Sequence, residues 1–208
     1  MRKPRLLDLF CGAGGVAMGY ARAGFEVVGV DILPQPHYPF AFIQADAMTF
    51  ALDGFDVVHA SPPCQAYSIC QNFLQRPGAY PDLLPGVRQR LLAWGGLWMI
   101  ENVPGAPIQQ GVMLCGSMFG LGVLRHRYFE SSTVVFAPVQ CQHKGQVKDG
   151  SYISVFGKGG RGFTKERGSQ AMGIDWMTIN ELRQAIPPAY TEWLGRQLLS
   201  LVAASSGG

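Results

Sequence analysis

The sequence has no long hydrophobic run and no cluster of basic residues. Its longest apolar stretch, Leu91 to Ile100, is about half of the ~20 residues that a membrane helix needs, so no membrane role is expected. No run of five basic residues occurs either. The formal net charge of +3 permits nucleic-acid binding but does not demonstrate it.

Cysteine is scarce, and its spacing does not suggest a metal site. The odd count of five, with no N-terminal signal peptide, predicts a reduced, cytoplasmic protein. No CxxC pair is present, so we expect no bound metal. The pair Cys141 and His143 is the one hint of a zinc site, and we interpret it as a coincidence within a loop.

The first third of the chain alternates strand and helix patterns. Such alternation predicts an α/β fold, with a mostly parallel twisted sheet and helices on both faces, in a chain long enough for one domain. Sheets of this kind bind ligands beyond the carboxyl ends of their strands. The predicted strands are Arg5 to Phe10, Phe25 to Val30, Ala41 to Gln44, Phe55 to Ala60 and Leu97 to Ile100, and the predicted helices are Val16 to Ala23, Val87 to Trp94 and two within Met177 to Ala203.

A glycine-rich turn follows the first predicted strand. It reads Asp8-Leu-Phe10-Cys-Gly12-Ala-Gly14-Gly15, and glycines there let the backbone approach a ligand closely. A dinucleotide fingerprint would need a third glycine where Ala17 stands. Asp31 and Asp46 end the next two strands, where acids can accept ribose hydroxyls and an exocyclic amine. We therefore predict a nucleoside-like cofactor with Phe10 stacked on its base; the alternative is a tight turn without a ligand.

A candidate nucleophile follows the fourth predicted strand. Two prolines, Pro62 and Pro63, fix the backbone before Cys64, and a thiolate is a strong nucleophile once its pKa is lowered. Glu101 ends another strand, where an apolar setting can raise its pKa and make it an acid. Arg125 and Arg127 alternate on a strand and could hold a carbonyl oxygen or a phosphate. Each residue also has an interpretation without a catalytic role. Cys64 could be a buried structural cysteine, Glu101 a solvated glutamate, and the two arginines part of a solvent-facing edge.

Taken in order, these pieces resemble the cytosine-C5 DNA methyltransferase family, and in particular its compact, phage-like members. The resemblance covers most of the chain except about residues 131–175. The motifs that carry it are DLFCGAGG at 8–15, the acid Asp31, QADA at 44–47, PPCQAYS at 62–68, ENV at 101–103 and RHR at 125–127, with MTINEL at 177–182 and QAIPPAY at 184–190.

The resemblance implies a Rossmann-like methyltransferase fold that uses S-adenosyl-L-methionine and flips a cytosine out of double-stranded DNA. Cys64 would attack C6 of that cytosine, Glu101 would contact N3 and the amine, Arg127 would contact O2, and Arg125 would support the loop or a phosphate. The implied cofactor residues are Asp8, Phe10, Gly12, Gly14, Gly15, Asp31, Ile32, Asp46, Ala47, Pro62 and Gln184. The implied substrate residues are Pro63, Gln65, Ser68, Asn102 and Val103.

The same resemblance suggests how the chain is divided. Residues 1–130 would form the catalytic domain, residues 131–175 a reduced target-recognition segment, residues 176–204 helices that complete the catalytic domain, and residues 205–208 a disordered tail. With about 45 residues left for recognition, few side chains can reach base edges, so we expect a short or relaxed target sequence. Candidate contacts to phosphates or bases are Lys158, Arg161, Lys165 and Arg167; the alternative is a solvated, flexible loop.

Some positions depart from the family pattern. Asp31 stands where glutamate is usual, Val123 where glutamine is usual, and Gln184 where asparagine is usual. Three other functions stay open at this point: C5 methylation of RNA or a nucleotide, methylation of an amino group at N4 or N6, and nucleic-acid binding without catalysis. The pattern also leaves open a homodimer or accessory partner, and a role in restriction–modification, protection of phage DNA or regulation.

Overall fold

A computed structural model describes residues 2–67, 81–155 and 163–205. A seven-stranded sheet forms its centre, with strand order β3-β2-β1-β4-β5-β7-β6. The strands are β1 Arg5–Leu9, β2 Glu26–Asp31, β3 Ala41–Gln44, β4 Val57–Ala60, β5 Leu97–Asn102, β6 Val112–Leu114 and β7 Arg127–Ser131. The five strands predicted from the sequence are confirmed within a few residues.

Strands β1 to β5 run parallel, and β7 runs antiparallel to both β5 and β6. Strands β1, β2 and β4 are almost wholly buried, because helices cover both faces of the sheet. Their apolar runs therefore lack the alternation of a half-exposed strand. The carboxyl ends of all five parallel strands point to one edge, and the loops that follow them meet there.

The described helices are α1 Gly15–Ala23, α2 Leu84–Trp94, α3 Lys165–Met172, α4 Ile179–Gln184 and α5 Pro188–Ser205. The first, α1, begins after Gly14 and ends at Gly24. A capping box between Thr178 and Glu181 starts α4, and Pro187 and Pro188 separate it from α5. Glycine, a capping box and proline mark these helix ends, which is why α1, α4 and α5 could be predicted from the sequence.

Apolar side chains pack on both faces of the sheet, as the α/β prediction requires. On one face, Tyr20 of α1 and Leu194 of α5 join the cluster around Leu6. On the other face, Val87 and Leu91 of α2 pack against the cluster around Leu7. The α/β fold with a mostly parallel sheet is therefore confirmed. Within the described residues, no helix is both long and apolar enough to cross a bilayer.

The segment after β7 contains one helix that the sequence analysis did not predict. Helix α3 begins at Thr164, whose hydroxyl accepts a hydrogen bond from the Arg167 amide, and it ends at Gly173. Met172 is buried in a third apolar cluster with Val155 and with Val123, the residue that stands where the family pattern has glutamine. The backbone of Gly122 also pairs with that of Ile153. Residues 153–155 and 163–172 thus pack on the rest of the fold.

Candidate active site

A cavity of about 680 Å³ opens at the carboxyl edge of the sheet. It brings together most of the residues that the sequence analysis singled out. Those that line it are Phe10, Gly12, Gly15, Asp31, Ile32, Asp46, Ala47, Pro62, Pro63, Cys64, Gln65, Glu101, Val103, Arg125, Arg127 and Gln184. The candidate cofactor residues and the candidate catalytic residues therefore share one continuous space.

The glycine turn after β1 shapes one end of this cavity. Gly12 has a φ of +48°, and no atom lies within 4 Å of where its Cβ would be, so its open side is free to receive a ligand. Its amide donates a hydrogen bond of 3.0 Å to Oδ2 of Asp31. Phe10 also has a positive φ, +57°, a backbone conformation that is uncommon for any residue other than glycine. This turn is strained where it meets the cavity.

Gly14 and Gly15 serve packing more than binding. A Cβ on Gly14 would collide with Pro39, and one on Gly15 would collide with the carbonyl oxygen of Ile186. Gly14 does not line the cavity at all, so its predicted cofactor contact is not supported by its position. Gly14 lets the start of α1 lie close to the side chains of Pro39 and Tyr38, and Gly15, which also lines the cavity, lets it lie close to the backbone of Ile186.

Acidic residues follow β2 and β3, as predicted. Asp31 accepts hydrogen bonds from the amides of Gly12 and Leu33, which hold its carboxylate in place beside the glycine turn. Asp46 is exposed and accepts a hydrogen bond from the Met48 amide. Between them the cavity rim carries Ile32, which is 65% exposed. An apolar side chain this open beside two carboxylates suits a ligand that has both an apolar face and polar edges.

Asp8 does not line the cavity, contrary to its predicted contact with a cofactor. It is fully buried in β1, in register with Gly29 of β2 and His59 of β4. Burial raises the pKa of Asp8 well above its usual range, and the Asp31 charge adds to this effect while the nearby Tyr38 hydroxyl opposes it. Asp8 is therefore a buried side chain behind the cavity wall, in surroundings that favour its neutral form.

Cys64 lies in the loop after β4, and buried polar contacts hold that loop. Asn102 is 1% exposed and donates a hydrogen bond of 3.0 Å from Nδ2 to the carbonyl oxygen of Pro62. The amide of Tyr67 bonds to the carbonyl oxygen of Cys64, which closes a turn after the cysteine. Asn102 was predicted to touch a substrate, but it positions the proline–cysteine loop instead.

Glu101 ends β5 and faces the same cavity. It is 6% exposed, and Nε of Arg127 lies 3.0 Å from its Oε1. Burial raises the pKa of Glu101, while Arg127, the Ser61 hydroxyl and Arg125 partly offset that rise. A carboxyl group with a raised pKa is suited to donate a proton or hydrogen bond near neutral pH.

A buried polar chain extends from Glu101 into the core. The Ser61 hydroxyl lies 2.9 Å from Nε2 of His59, and Nδ1 of His59 lies 2.9 Å from the Tyr20 hydroxyl. Burial lowers the pKa of His59 to about 3, so the imidazole is neutral at ordinary pH. With Tyr20 donating to Nδ1, His59 donates to Ser61, and Ser61 donates towards Glu101. The sequence analysis missed His59 and Ser61, although both adjoin the Pro-Pro-Cys motif.

The two arginines have different surroundings. Arg125 donates to the carbonyl oxygens of Val155 at 3.0 Å and Arg183 at 2.8 Å, so it ties two distant segments together. Burial, and then the charge of Arg127, lower the pKa of Arg125 to about 9. Arg127 pairs with Glu101 and bonds to the carbonyl oxygen of His126. Both arginines line the cavity, and their predicted roles stay predictions.

The electrostatic surroundings of Cys64 set the conditions for its reactivity. Burial raises the pKa of the Cys64 thiol, and the Glu101 charge raises it further, whereas Arg127 and Arg125 lower it. A positively charged or neutralising ligand in the cavity, or protonation of Glu101, would therefore favour the thiolate. The Cys64 thiol and the Glu101 carboxyl group are therefore electrostatically linked.

Several cavity residues were not predicted, and some of them lie in or beside α4. Glu181 of α4 lines the cavity, and its Oε1 lies 2.9 Å from Nδ1 of His37, which joins α4 to the loop after β2. Trp176 donates a hydrogen bond to the carbonyl oxygen of Ala13 in the glycine turn. The capping box around Glu181 was a usable signal, because it fixes where α4 begins. Also lining the cavity are Cys11, Leu33, Met177, Arg183, Ala185 and Ile186.

Some predicted substrate residues are not placed at the cavity. Ser68, Lys158 and Arg161 lie outside the described residues. Lys165 and Arg167 are exposed in the first turn of α3 and do not line the cavity. Their proposed nucleic-acid contacts stay predictions.

No family model matches this chain. Over 82 residues it is 35% identical to the type II methyltransferase M1.HphI of Haemophilus parahaemolyticus, a match that covers 30% of this chain and 22% of that protein. The chain thus matches less than a quarter of the length of this curated relative.

Solved structures match over nearly the whole chain. A DNA modification methyltransferase encoded within a prophage of E. coli superposes with a TM-score of 0.68 and 16% identity, covering 96% of this chain and 99% of that one. Dnmt2 methyltransferase of S. pombe gives a TM-score of 0.65 and 14% identity, covering 97% and 99%. At these identities the likeness concerns the fold. Together with the strand order and the antiparallel β7, it shows the fold of S-adenosylmethionine-dependent methyltransferases.

Proposed function

We propose that this chain is a methyltransferase that transfers a methyl group from S-adenosylmethionine to C5 of cytosine in DNA, with Cys64 as a covalent nucleophile. The observation that carries this proposal is the shared cavity, which holds Gly12, Asp31 and Asp46 together with Cys64, Glu101 and Arg127. The fold supports a methyltransferase in general. The C5 chemistry rests on the combination of thiol, carboxyl and guanidinium groups.

The residues at the glycine end fit a nucleoside cofactor with a charged tail. The open side of Gly12 leaves room beside the carboxylate of Asp31, which can accept hydroxyl donors. Asp46 offers a second acceptor, and Ile32 and Phe10 offer apolar surface. When bound, the cofactor would supply an electrophilic methyl group on a sulfonium. The negative charges at this end of the cavity would favour a positively charged sulfonium.

At the other end, Cys64 and Glu101 would act on the base. The Cys64 thiolate forms a bond to C6, and the electron pair of the C5–C6 double bond moves towards C5 and the ring carbonyl. Glu101, whose pKa is raised by burial, would donate a hydrogen bond to N3 when it takes up a proton, which limits the build-up of negative charge on the ring. Arg127, which pairs with Glu101, would contact O2.

The covalent adduct then resolves without any further group from the protein. C5 would form a bond to the methyl group as the sulfur–methyl bond breaks and the sulfonium becomes a neutral thioether. The C5 proton would then be lost to solvent, and the electron pair of the C5–H bond would reform the C5–C6 double bond as the Cys64 thiolate leaves. C5 and C6 are inaccessible in a base-paired stack, so the cytosine must leave the duplex to reach Cys64. The net reaction exchanges the C5 proton for a methyl group.

The direct test uses labelled S-adenosylmethionine, unmethylated duplex DNA and identification of the modified base. The wild type should yield 5-methylcytosine, and Cys64→Ala should yield none. Ser200→Ala, a change on the exposed side of α5, is the control that should leave activity unchanged. An N-methylated product, or equal activity in Cys64→Ala, would overturn the nucleophile assignment.

The same assay separates the alternative substrates. Duplex DNA, single-stranded DNA, transfer RNA and deoxycytidine monophosphate are compared side by side at equal cytosine concentration. Methylation restricted to RNA or the nucleotide would keep the Cys64 chemistry and replace DNA as the substrate. Cofactor binding with no turnover on any of the four would favour a binding protein without catalysis.

A further inference from the structure

Four side chains with metal-binding atoms converge next to Arg125 and Arg127, outside the cavity described above. They are Cys115, His126, Cys141 and His143. One ligand atom from each lies within 4.8 Å of those of the other three. The described cysteines are not paired in disulfides. Two sulfurs and two imidazole nitrogens at this separation form the donor set of a structural zinc site.

The distances between these atoms suit tetrahedral coordination. Cys115 Sγ lies 3.5 Å from His143 Nε2, and Cys141 Sγ lies 3.6 Å from His126 Nε2 and 3.1 Å from His143 Nε2. With zinc–sulfur bonds of ~2.3 Å and zinc–nitrogen bonds of ~2.0 Å, a tetrahedral site separates sulfur from nitrogen by about 3.5 Å. Two of the three distances already match that value, and the third needs a shift of only about 0.4 Å.

The four residues come from three separate parts of the chain. Cys115 follows β6, His126 stands between Arg125 and Arg127, and Cys141 and His143 belong to the segment after β7. No short cysteine spacing announces such a site, so the sequence analysis considered only Cys141 and His143. The parts meet because β6 and β7 are paired and the chain then returns across them.

Neighbouring groups support the cluster as a built site. The Ser117 hydroxyl lies 3.2 Å from Cys115 Sγ and 3.8 Å from Cys141 Sγ, where it can donate to thiolates. The Tyr152 ring packs edge-on against His143, with centroids 6.4 Å apart. Cys115 is buried, His126 and Cys141 are half-buried, and His143 is exposed, so a metal can enter from one side.

We propose that Cys115, His126, Cys141 and His143 bind one zinc ion that has a structural role. Four protein ligands fill a tetrahedral shell and leave no position for a substrate or an activated water. Binding replaces the thiol protons of Cys115 and Cys141, so the two thiolates balance the dipositive charge. The ion joins the segment after β7 to His126, which lies between Arg125 and Arg127 just before β7.

Residues 132–154, which include Cys141 and His143, contain no buried side chain, so this part of the segment has little core of its own. Val134, Phe136 and Val139 are 74%, 67% and 57% exposed. A short segment that buries few apolar side chains is commonly stabilised by a metal or a disulfide instead. Through His126, whose carbonyl oxygen accepts a bond from Arg127, the zinc site also holds the guanidinium that pairs with Glu101.

The first experiment measures metal in the intact protein. Cells are grown with zinc, and the full chain is purified without a chelator or a metal-affinity column and analysed by mass spectrometry for metals. We expect about one zinc per chain. After exchange for Co²⁺, we expect the visible absorption of a tetrahedral ion and a thiolate charge-transfer band. Wild-type protein without metal, and without a cobalt spectrum, would overturn the proposal, as would a disulfide between Cys115 and Cys141.

Variants assign the ligands. Cys141→Ser and His143→Ala lie at the accessible side and should fold, yet each should lose most of its zinc in competition with a chelator. His37→Ala removes a histidine from outside the cluster and is the matched control, which should keep its zinc. Retention of zinc by both ligand variants would overturn the assignment.

The outcome is independent of the proposed catalysis. Cys64→Ala should keep one zinc while losing methylation, whereas Cys141→Ser should lose zinc and unfold at a lower temperature. Zinc in the wild type without any methyltransferase activity would support this inference and count against the proposed function alone. Equal thermal stability of the wild type and Cys141→Ser, despite loss of zinc, would contradict the structural role.

Discussion

Nε of Arg127 lies 3.0 Å from Oε1 of Glu101, and both side chains are largely withdrawn from solvent. The two residues come from β7 and β5, which pair antiparallel, so the sheet itself sets the distance between them. Each group also acts on Cys64: the carboxylate raises the pKa of the thiol, and the guanidinium lowers it. The pair thus joins fold stability to the reactivity of the candidate nucleophile.

We expect Arg127→Gln to destabilise the protein by about 3 kcal/mol, because it leaves the buried Glu101 carboxylate without its partner. The double variant Arg127→Gln/Glu101→Gln should recover a large part of that loss, because it removes the unpaired charge as well. Urea denaturation of the wild type, the two single variants Arg127→Gln and Glu101→Gln, and the double variant gives the coupling energy directly. Additive effects of the two changes would show that the ion pair does not couple them. Neither variant should methylate DNA.

We expect Glu101→Gln to lower the pKa of the Cys64 thiol, because it removes a nearby negative charge that raises it. At any pH below the wild-type pKa, the thiolate fraction then increases, and alkylation of Cys64 by iodoacetamide should accelerate roughly three- to tenfold. Peptide mass spectrometry reports the rate at Cys64 alone. Glu192→Gln, on the outer side of α5, is the matched control and should leave that rate unchanged. Slower alkylation in Glu101→Gln would reverse the assigned sign.

Gly12→Ala should weaken binding of S-adenosylmethionine by more than about tenfold, because the new methyl group points into the cavity. Its positive φ also adds a backbone cost of about 1 kcal/mol. Gly95→Ala is matched for that cost, since Gly95 has a φ of +76°, open space around its Cβ position and a place at the end of α2. Calorimetric titration should show weak binding only in Gly12→Ala, whereas thermal unfolding should show similar losses in both. Equal affinities would remove Gly12 from the cofactor site.

Gly19→Ala should destabilise the protein by about 2 kcal/mol or more, although alanine favours a helix by about 1 kcal/mol. Its Cβ would overlap the Thr191 hydroxyl and the Pro188 carbonyl oxygen, where α1 and α5 pack closely. Gly86→Ala is the matched change in α2, where the nearest atom is the flexible end of Met48 at 3.1 Å. It should be neutral or stabilising in thermal unfolding. Equal effects at the two positions would contradict the assigned helix packing.

The sequence predicted those parts of the site that depend on local order along the chain. A buried strand followed by a glycine turn and a helix placed Gly12 and Asp31, and strand ends placed Cys64 and Glu101 at the same edge. Those inferences needed only the rule that parallel strands end together. The exposed helix α3 was missed, although Thr164 and Gly173 mark its two ends. The glycine and basic residues of that segment favoured a loop in the sequence analysis.

What the sequence could not show depends on contacts between distant residues. Asp8 and Asp31 look alike as acids on neighbouring strands, yet one is fully buried and the other lines the cavity. Asn102 adjoins Glu101, but its side chain turns to the Pro62 carbonyl oxygen. The cluster around Cys115 and His126 needs three segments to meet. Side-chain direction and segment packing decide these cases, and neither can be read from spacing.

Phe10 occupies a backbone conformation that glycine would adopt at a lower cost. The difference is on the order of 1 kcal/mol, enough for selection on stability alone to favour glycine at this position. We therefore expect the aromatic ring of Phe10 to cost some stability and to serve the binding of the proposed cofactor. Directed evolution can test this. Libraries selected only for heat resistance should replace Phe10, whereas libraries selected for cofactor-dependent activity should retain an aromatic ring.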